Sequence, residues 1–223
     1  MRHGSRLVAV AVVVLALLGG VDVARSEPSG VVAGTVVVKK EGVVKTNASG
    51  VVLYIDGAPV TTAARKHAIR QKELRFAPSV SVVMKGTTVD FPNEDKVFHN
   101  VFSLSQPARF DLGLYKSGES KAVQFNRVGV VDIYCNIHPD MAAKVKVVDT
   151  PYFAMTRPDG SFELSGVPPG TFTVVAWQPY GAEWRGQVTV TPGGRATVSP
   201  QLEEGDKPTR HPRKDGTPYG RYQ

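Results

Sequence analysis

The sequence has one cysteine, Cys135, in 223 residues. A lone thiol excludes an internal disulfide, and in an exported chain an unpaired thiol needs a reason of its own. Histidine is scarce as well, with five residues, and tryptophan occurs twice. Long apolar runs are confined to Leu7–Leu18, too short for the roughly 20 residues of a spanning helix. Extreme charge is missing too: 27 Lys and Arg against 20 Asp and Glu give +7, scattered except near the C-terminus. That distribution makes nucleic acid a poor partner and favours an acidic protein.

The first 26 residues read as a secretory signal, with a basic start at Arg2, His3 and Arg6, an apolar stretch, and Ala24-Arg25-Ser26 as a small-x-small cleavage site. Its removal would take Lys+Arg from 27 to 24 and Asp+Glu from 20 to 19, leaving about +5. The expected location is the periplasm or the exterior, with no stable membrane span after cleavage. No cysteine follows the apolar run, so a lipid on an N-terminal Cys is excluded.

The rest is rich in β-branched residues broken by Gly, Pro, Asn and Ser. Thr35–Val38, Val51–Ile55, Val80–Met84, Thr88–Phe91, Ala122–Phe125, Val130–Tyr134 and Lys144–Val148 are short strand-like runs, with turn signals such as Lys85-Gly86 and Ser117-Gly118 between them. Such a chain is all-β, a sandwich or barrel. Val145 and Val147 alternate with Lys144 and Lys146, which predicts one buried and one wet face. Thr61–Lys72 reads as a connector. Beyond Pro151, Pro158-Asp159-Gly160 and Pro168-Pro169-Gly170 mark corners between further strands. Trp177, Tyr180 and Trp184 are expected to fill a core or cover it. Residues 203–223 are polar, basic and Pro-bearing, and are expected to be disordered.

The chemistry concentrates in Tyr134-Cys135-Asn136-Ile137-His138-Pro139-Asp140-Met141. A thiol, an imidazole and a thioether at successive three-residue steps, with Pro139 tightening the loop, can face one point. With His99 they make two His, one Cys and a weak axial Met, the ligand list of a blue-copper site. His67 and His211 lie in poor contexts and are expected to be solvated.

The His99-Asn100 step and the Cys-x-x-His-x-x-Met loop resemble the cupredoxin family over about Ile69–Asp149. The loop spacing is similar to that of amicyanin, and Tyr134 before the cysteine to plastocyanin. The resemblance implies a Greek-key β-sandwich at 69–150 holding one type 1 copper ion through His99, Cys135, His138 and Met141. It also implies that Asn100 ties the two loops together and points its N–H at the Cys135 sulfur, with Asn136 beside it. Either Asn could equally be an ordinary turn residue.

Gly34-Thr35-Val36, Val52–Ile55, Asp159-Gly160-Ser161-Phe162 and Pro168–Val174 together resemble a carboxypeptidase-regulatory-like β-sandwich. That module would span 31–60 and 152–202, with the cupredoxin inserted in it. Alternatively, residues 31–60 supply early strands to the cupredoxin sheet.

The implied activity is single-electron transport between a redox donor and acceptor, without catalysis. A copper oxidase would need more histidines, a binuclear centre a second cysteine, and no substrate position is apparent. Copper storage or delivery stays open, as does a non-redox double sandwich for adhesion or carbohydrate binding.

Overall fold

The computed structural model describes residues 27–60, 66–211 and 213–219. The expected signal at 1–26 and residues 61–65 of the expected connector lie outside this set. Among the described residues every regular element is a strand, and no helix is long and apolar enough to cross a membrane.

One sandwich is built from the two ends of the chain. Gly30–Thr35 lies between Ser161–Val167, antiparallel, and Arg195–Val198, parallel. Facing it is a sheet ordered Phe153–Met155, Val52–Asp56, Gly170–Trp177, Trp184–Val190. Val32, Leu53, Ile55, Phe162, Leu164 and Val174 are among the side chains that fill the space between. Strands from before residue 60 therefore pair with strands from beyond residue 152.

The intervening segment makes a second sandwich. Its larger sheet runs Phe110–Tyr115, His99–Ser103, Gly129–Tyr134, Ala142–Val148, Val80–Met84, the last pair parallel. Its smaller sheet runs Ser120–Phe125, Thr87–Pro92, His67–Ala68. Alternation along Thr87–Pro92 turns Val89 and Phe91 inward to meet Val101, Phe125, Val131 and Ile133. The part of the expected connector that is described is strand: His67–Ala68 pairs with Val89–Asp90, and Arg70–Lys72 forms a hairpin with Arg75–Ala77. Ile69, wholly buried, accounts for this, because it fixes the segment into the core.

A third apolar layer lies where the sandwiches meet. Val52, Tyr54, Val175 and Trp177 pack against Val148, Val80, Val82 and Val130. Val52–Ile55 has no polar alternation because Leu53 and Ile55 face one core while Val52 and Tyr54 face this layer. A strand covered on both faces reads as a continuous apolar run.

Lys146 is not on a wet face. It is buried, pairs with Glu183, and its ammonium lies 5.5 Å from the Tyr54 ring centroid and 5.4 Å from that of Trp177. Two aromatic faces and a carboxylate compensate the lost water. The same setting, chiefly burial, pushes the Tyr54 phenol up to about 12. Trp177 belongs to this layer, and Trp184 packs at the margin of the first core.

Candidate metal centre

The site begins at a hairpin. Glu73 and Leu74, between Arg70–Lys72 and Arg75–Ala77, take positive φ of 54° and 57°, a conformation costly for residues with a Cβ. Both backbone N–H groups donate to Asp95, at 2.6 and 2.9 Å. Asp95 is further fixed by its own N–H on Asn93 Oδ1, 3.0 Å away. Its Oδ2 then lies 2.8 Å from His99 Nε2. Nδ1 is thereby the nitrogen of His99 left to turn inward.

His99 opens the strand His99–Ser103 and is fully buried, and Cys135, equally buried, follows the neighbouring strand Gly129–Tyr134. The two strands are partners through Phe102 and Tyr134. Cys135 Sγ lies 3.9 Å from His99 Nδ1 and 3.6 Å from His138 Nδ1, and the two imidazole nitrogens are 3.1 Å apart. Donor atoms about 2.0–2.3 Å from one ion, as imidazole nitrogen and thiolate sulfur are, sit roughly 3–4 Å from each other. The spacings fit one small, borderline-soft ion.

The loop closes on itself: Cys135 N–H donates to Met141 C=O at 3.3 Å, and Met141 N–H to His138 C=O at 3.1 Å. Met141 is 1% exposed and packs in the same core cluster as Cys135. Of the sequence-predicted residues, His99, Cys135 and His138 bring their donor atoms together, and Met141 is held beside them by the backbone bonds of the loop.

Electrostatics favour a thiolate. Burial pushes the Cys135 thiol up, but the bond with His99 and the N–H groups of Asn100, Ile137 and His138 outweigh it and bring it below the ordinary thiol range. For His99 burial acts downward, and hydrogen bonds with Cys135 and Asp95 raise it overall. His138 is lowered by burial and by the charge of His99, which keeps its nitrogen free for a metal.

Asn100 lies between the loops. Its N–H reaches the sulfur, its Oδ1 accepts the Asn136 N–H at 3.3 Å, and its Nδ2 donates to Asp111 Oδ1 at 2.7 Å. Asn136 Oδ1 accepts the backbone N–H of Lys214 at 3.0 Å.

Sequence reasoning missed Asp95 and Asp111, since an acid in a turn carries no signal without its partner. It also missed the C-terminal segment. Expected to be disordered, that segment lies against the site: His211 is buried, stacks on Tyr134 at 4.3 Å, and its Nε2 is 3.4 Å from the His138 carbonyl. His211 is therefore not a solvated residue. His67, half-buried, has its Nε2 2.9 Å from Ser81 Oγ and is remote from this constellation in the sheets.

Residues 139–203 match the family model of the carboxypeptidase regulatory-like domain. No curated protein matches the chain. Among solved structures, a Cu-containing nitrite reductase (NirK) from Thermus scotoductus SA-01 is 25% identical with a TM-score of 0.36, over 41% of this chain and 24% of that one. The chain thus spans about a quarter of the nitrite reductase. A purple cupredoxin from Nitrosopumilus maritimus is 24% identical, TM-score 0.34, over 37% of this chain and 99% of its own. A mutant of amicyanin in its Cu(I) form is 22% identical, TM-score 0.35, over 43% of this chain and 98% of its own.

The molecule is an all-β protein of packed sandwiches. It is similar in one part to the carboxypeptidase regulatory-like domain and in another to cupredoxins.

Proposed function

We propose that this chain is an exported mononuclear type 1 copper protein that carries single electrons, with a redox donor and acceptor as partners. The observation that carries the reading is the meeting of His99, Cys135 and His138, from distant parts of the chain, with ligand atoms within 4.8 Å of one another. Met141 is the proposed axial ligand. Bound there, copper would supply a one-electron couple between Cu(I) and Cu(II). The chain's own contribution is to hold the ligands still: His99 through Asp95 at the start of one strand, and Cys135 through Asn100 just past the end of the neighbouring strand of the same sheet. Ligands that do not move keep the rearrangement on electron transfer small.

The ends of this sandwich also suit transient contact. Val97 and Phe98, which precede His99, Leu114, which pairs with Asn100, and Ile137, beside His138, are exposed by 46%, 56%, 57% and 37%. His138 itself is partly exposed. Aliphatic and aromatic side chains around an accessible imidazole edge suit a redox partner that docks and leaves, an acidic one given the basic balance of the chain.

In this reading residues 69–150 are the copper domain, inserted into a host sandwich of residues 31–60 and 152–202. The pairing of Gly30–Thr35 with Ser161–Val167, and of Val52–Asp56 with Gly170–Trp177, supports that division.

Adding Cu(II) to the purified protein tests the function. The expected result is an intense visible thiolate-to-copper band, lost in Cys135→Ser and bleached reversibly by one electron. Colourless binding would instead favour storage or delivery, and no binding would end the proposal.

A further inference from the structure

The C-terminal segment continues from the last host strand, Gln201–Glu203, and is fastened at its root: Lys45 pairs with Glu204, Lys40 with Asp206 at 3.2 Å, and the Gly205 N–H donates to the Tyr180 carbonyl. Residues 207–211 then form one wall of a cavity of about 440 Å3, with Tyr134, Pro139 and Lys144 opposite. Beyond it the chain meets the ligand loop from outside.

Three contacts fall on that loop. His211 reaches the His138 carbonyl, the Lys214 N–H donates to Asn136 Oδ1, and Tyr219 Oη donates to the Cys135 carbonyl at 2.8 Å. The rings add packing, with His211 stacked on Tyr134 at 16° and met edge-on by Tyr219 at 90°. A fourth contact acts at a distance. Lys214 Nζ donates to Asp111 Oδ2 at 2.7 Å, Asp111 accepts from the Asn100 side chain, and the Asn100 backbone N–H reaches the Cys135 sulfur. This network runs from the tail to the sulfur without touching the imidazole edge of the site.

We propose that the C-terminal segment is a clamp on the ligand loop, with His211, Lys214 and Tyr219 as positioning residues that hold Cys135 and His138 in place. It rests on the metal-site reading above. The clamp is not a lid: Val97, Phe98, Leu114 and Ile137 stay exposed while it is in place. It anchors the copper site to the host sandwich, so that the companion domain supports the site directly.

The experiment compares the full chain, a chain ending at Gly205, and Lys214→Met, with Lys214→Arg as the conservative variant. Backbone amide exchange at residues 136–141 is read first, without metal. Losing several hydrogen bonds of modest individual strength should speed it roughly 10- to 100-fold in the truncated chain, less in Lys214→Met, with recovery in Lys214→Arg. Copper is then added, and the release rate and the energy of the visible band are read. Release should quicken about 10-fold or more on truncation, and the band should shift in Lys214→Met, which an inert tail would not cause. Unchanged exchange at 136–141 in both variants overturns the clamp whatever copper does. A full chain that takes up no copper ends the metal reading alone, because exchange in the metal-free protein still decides whether the clamp exists. Should the truncated chain fail to fold, the two Lys214 variants carry the test.

Discussion

Asp95 Oδ2 and His99 Nε2 are 2.8 Å apart, and the same carboxylate accepts the N–H groups of both positive-φ residues of the Arg70–Ala77 hairpin. One acid therefore sets the orientation of a proposed ligand and holds a turn distant in sequence.

Asp95→Asn tests that double role. The ring of His99 loses a charged partner, so copper affinity should fall about 10- to 100-fold, as is usual when the group behind a ligating histidine is removed. Competition with a chelator measures it, and an affinity within twofold of the parent would contradict the role.

Acid should act on the metal-free protein in two steps. His138 is depressed from 6.5 by burial and by the charge of His99. Asp95 is depressed from 3.8 because the Leu74 N–H, His99 and the Glu73 N–H together outweigh burial, which acts upward. A depressed folded value means stability that is present above the ordinary value and is lost as pH falls through the folded one. His99, raised in the fold, acts in the opposite sense near 6.5, so the contribution of His138 is read by difference: below 6.5 the urea midpoint of the metal-free parent should fall relative to that of His138→Gln, and both should drop below 3.8.

Copper should raise the melting temperature. A ligand bound only by the native state adds about 2.7 kcal/mol at a free concentration 100 times its Kd. Calorimetry with and without Cu(II) should show the shift in the parent and a much smaller one in Cys135→Ser.

The buried cation between the sandwiches should be sensitive to its partner. Glu183→Gln leaves the Lys146 ammonium among Tyr54, Trp177 and aliphatic side chains, and should cost about 1–3 kcal/mol. Lys146→Met removes the charge and fills the same volume, so it should be nearly neutral. Urea unfolding compares them, and equal losses would show that the ion pair is unimportant.

Gly160 has φ +79°, and a Cβ there would lie 2.3 Å from the Val36 carbonyl oxygen. Gly160→Ala should destabilise the sandwich that contains Gly30–Thr35 and Ser161–Val167 by about 2–4 kcal/mol, from left-handed strain plus the clash. A loss below 1 kcal/mol in urea unfolding would show that the corner relaxes, since strain of this kind alone costs about 1–2 kcal/mol.

Much of the architecture was legible because local signals and tertiary roles agree. Asp159-Gly160 reads as a corner and is one. Thr87–Pro92 alternates and buries alternate residues. The approach of Cys135 and His138 to one point could be read because such residue types at short spacing are rare together. Lys146 could not, since its periodicity matches that of Lys144 and only the neighbouring sandwich distinguishes them. The tail was illegible for a related reason: composition measures apolar content, whereas His211 and Tyr219 are held by ring contacts and hydrogen bonds to a surface built elsewhere in the chain. Asp95 needed the hairpin at Glu73, far away in sequence, before its purpose could be seen.

Gly30–Thr35 and Val52–Asp56 leave the ribosome long before Ser161–Val167 and Gly170–Trp177, the strands that flank them. Any newly made chain must keep those two early strands waiting, edges bare, until residues 161–177 have emerged. A premature stop near residue 150 would strand them for good, and production of such a fragment should end in proteolysis rather than in a smaller working protein.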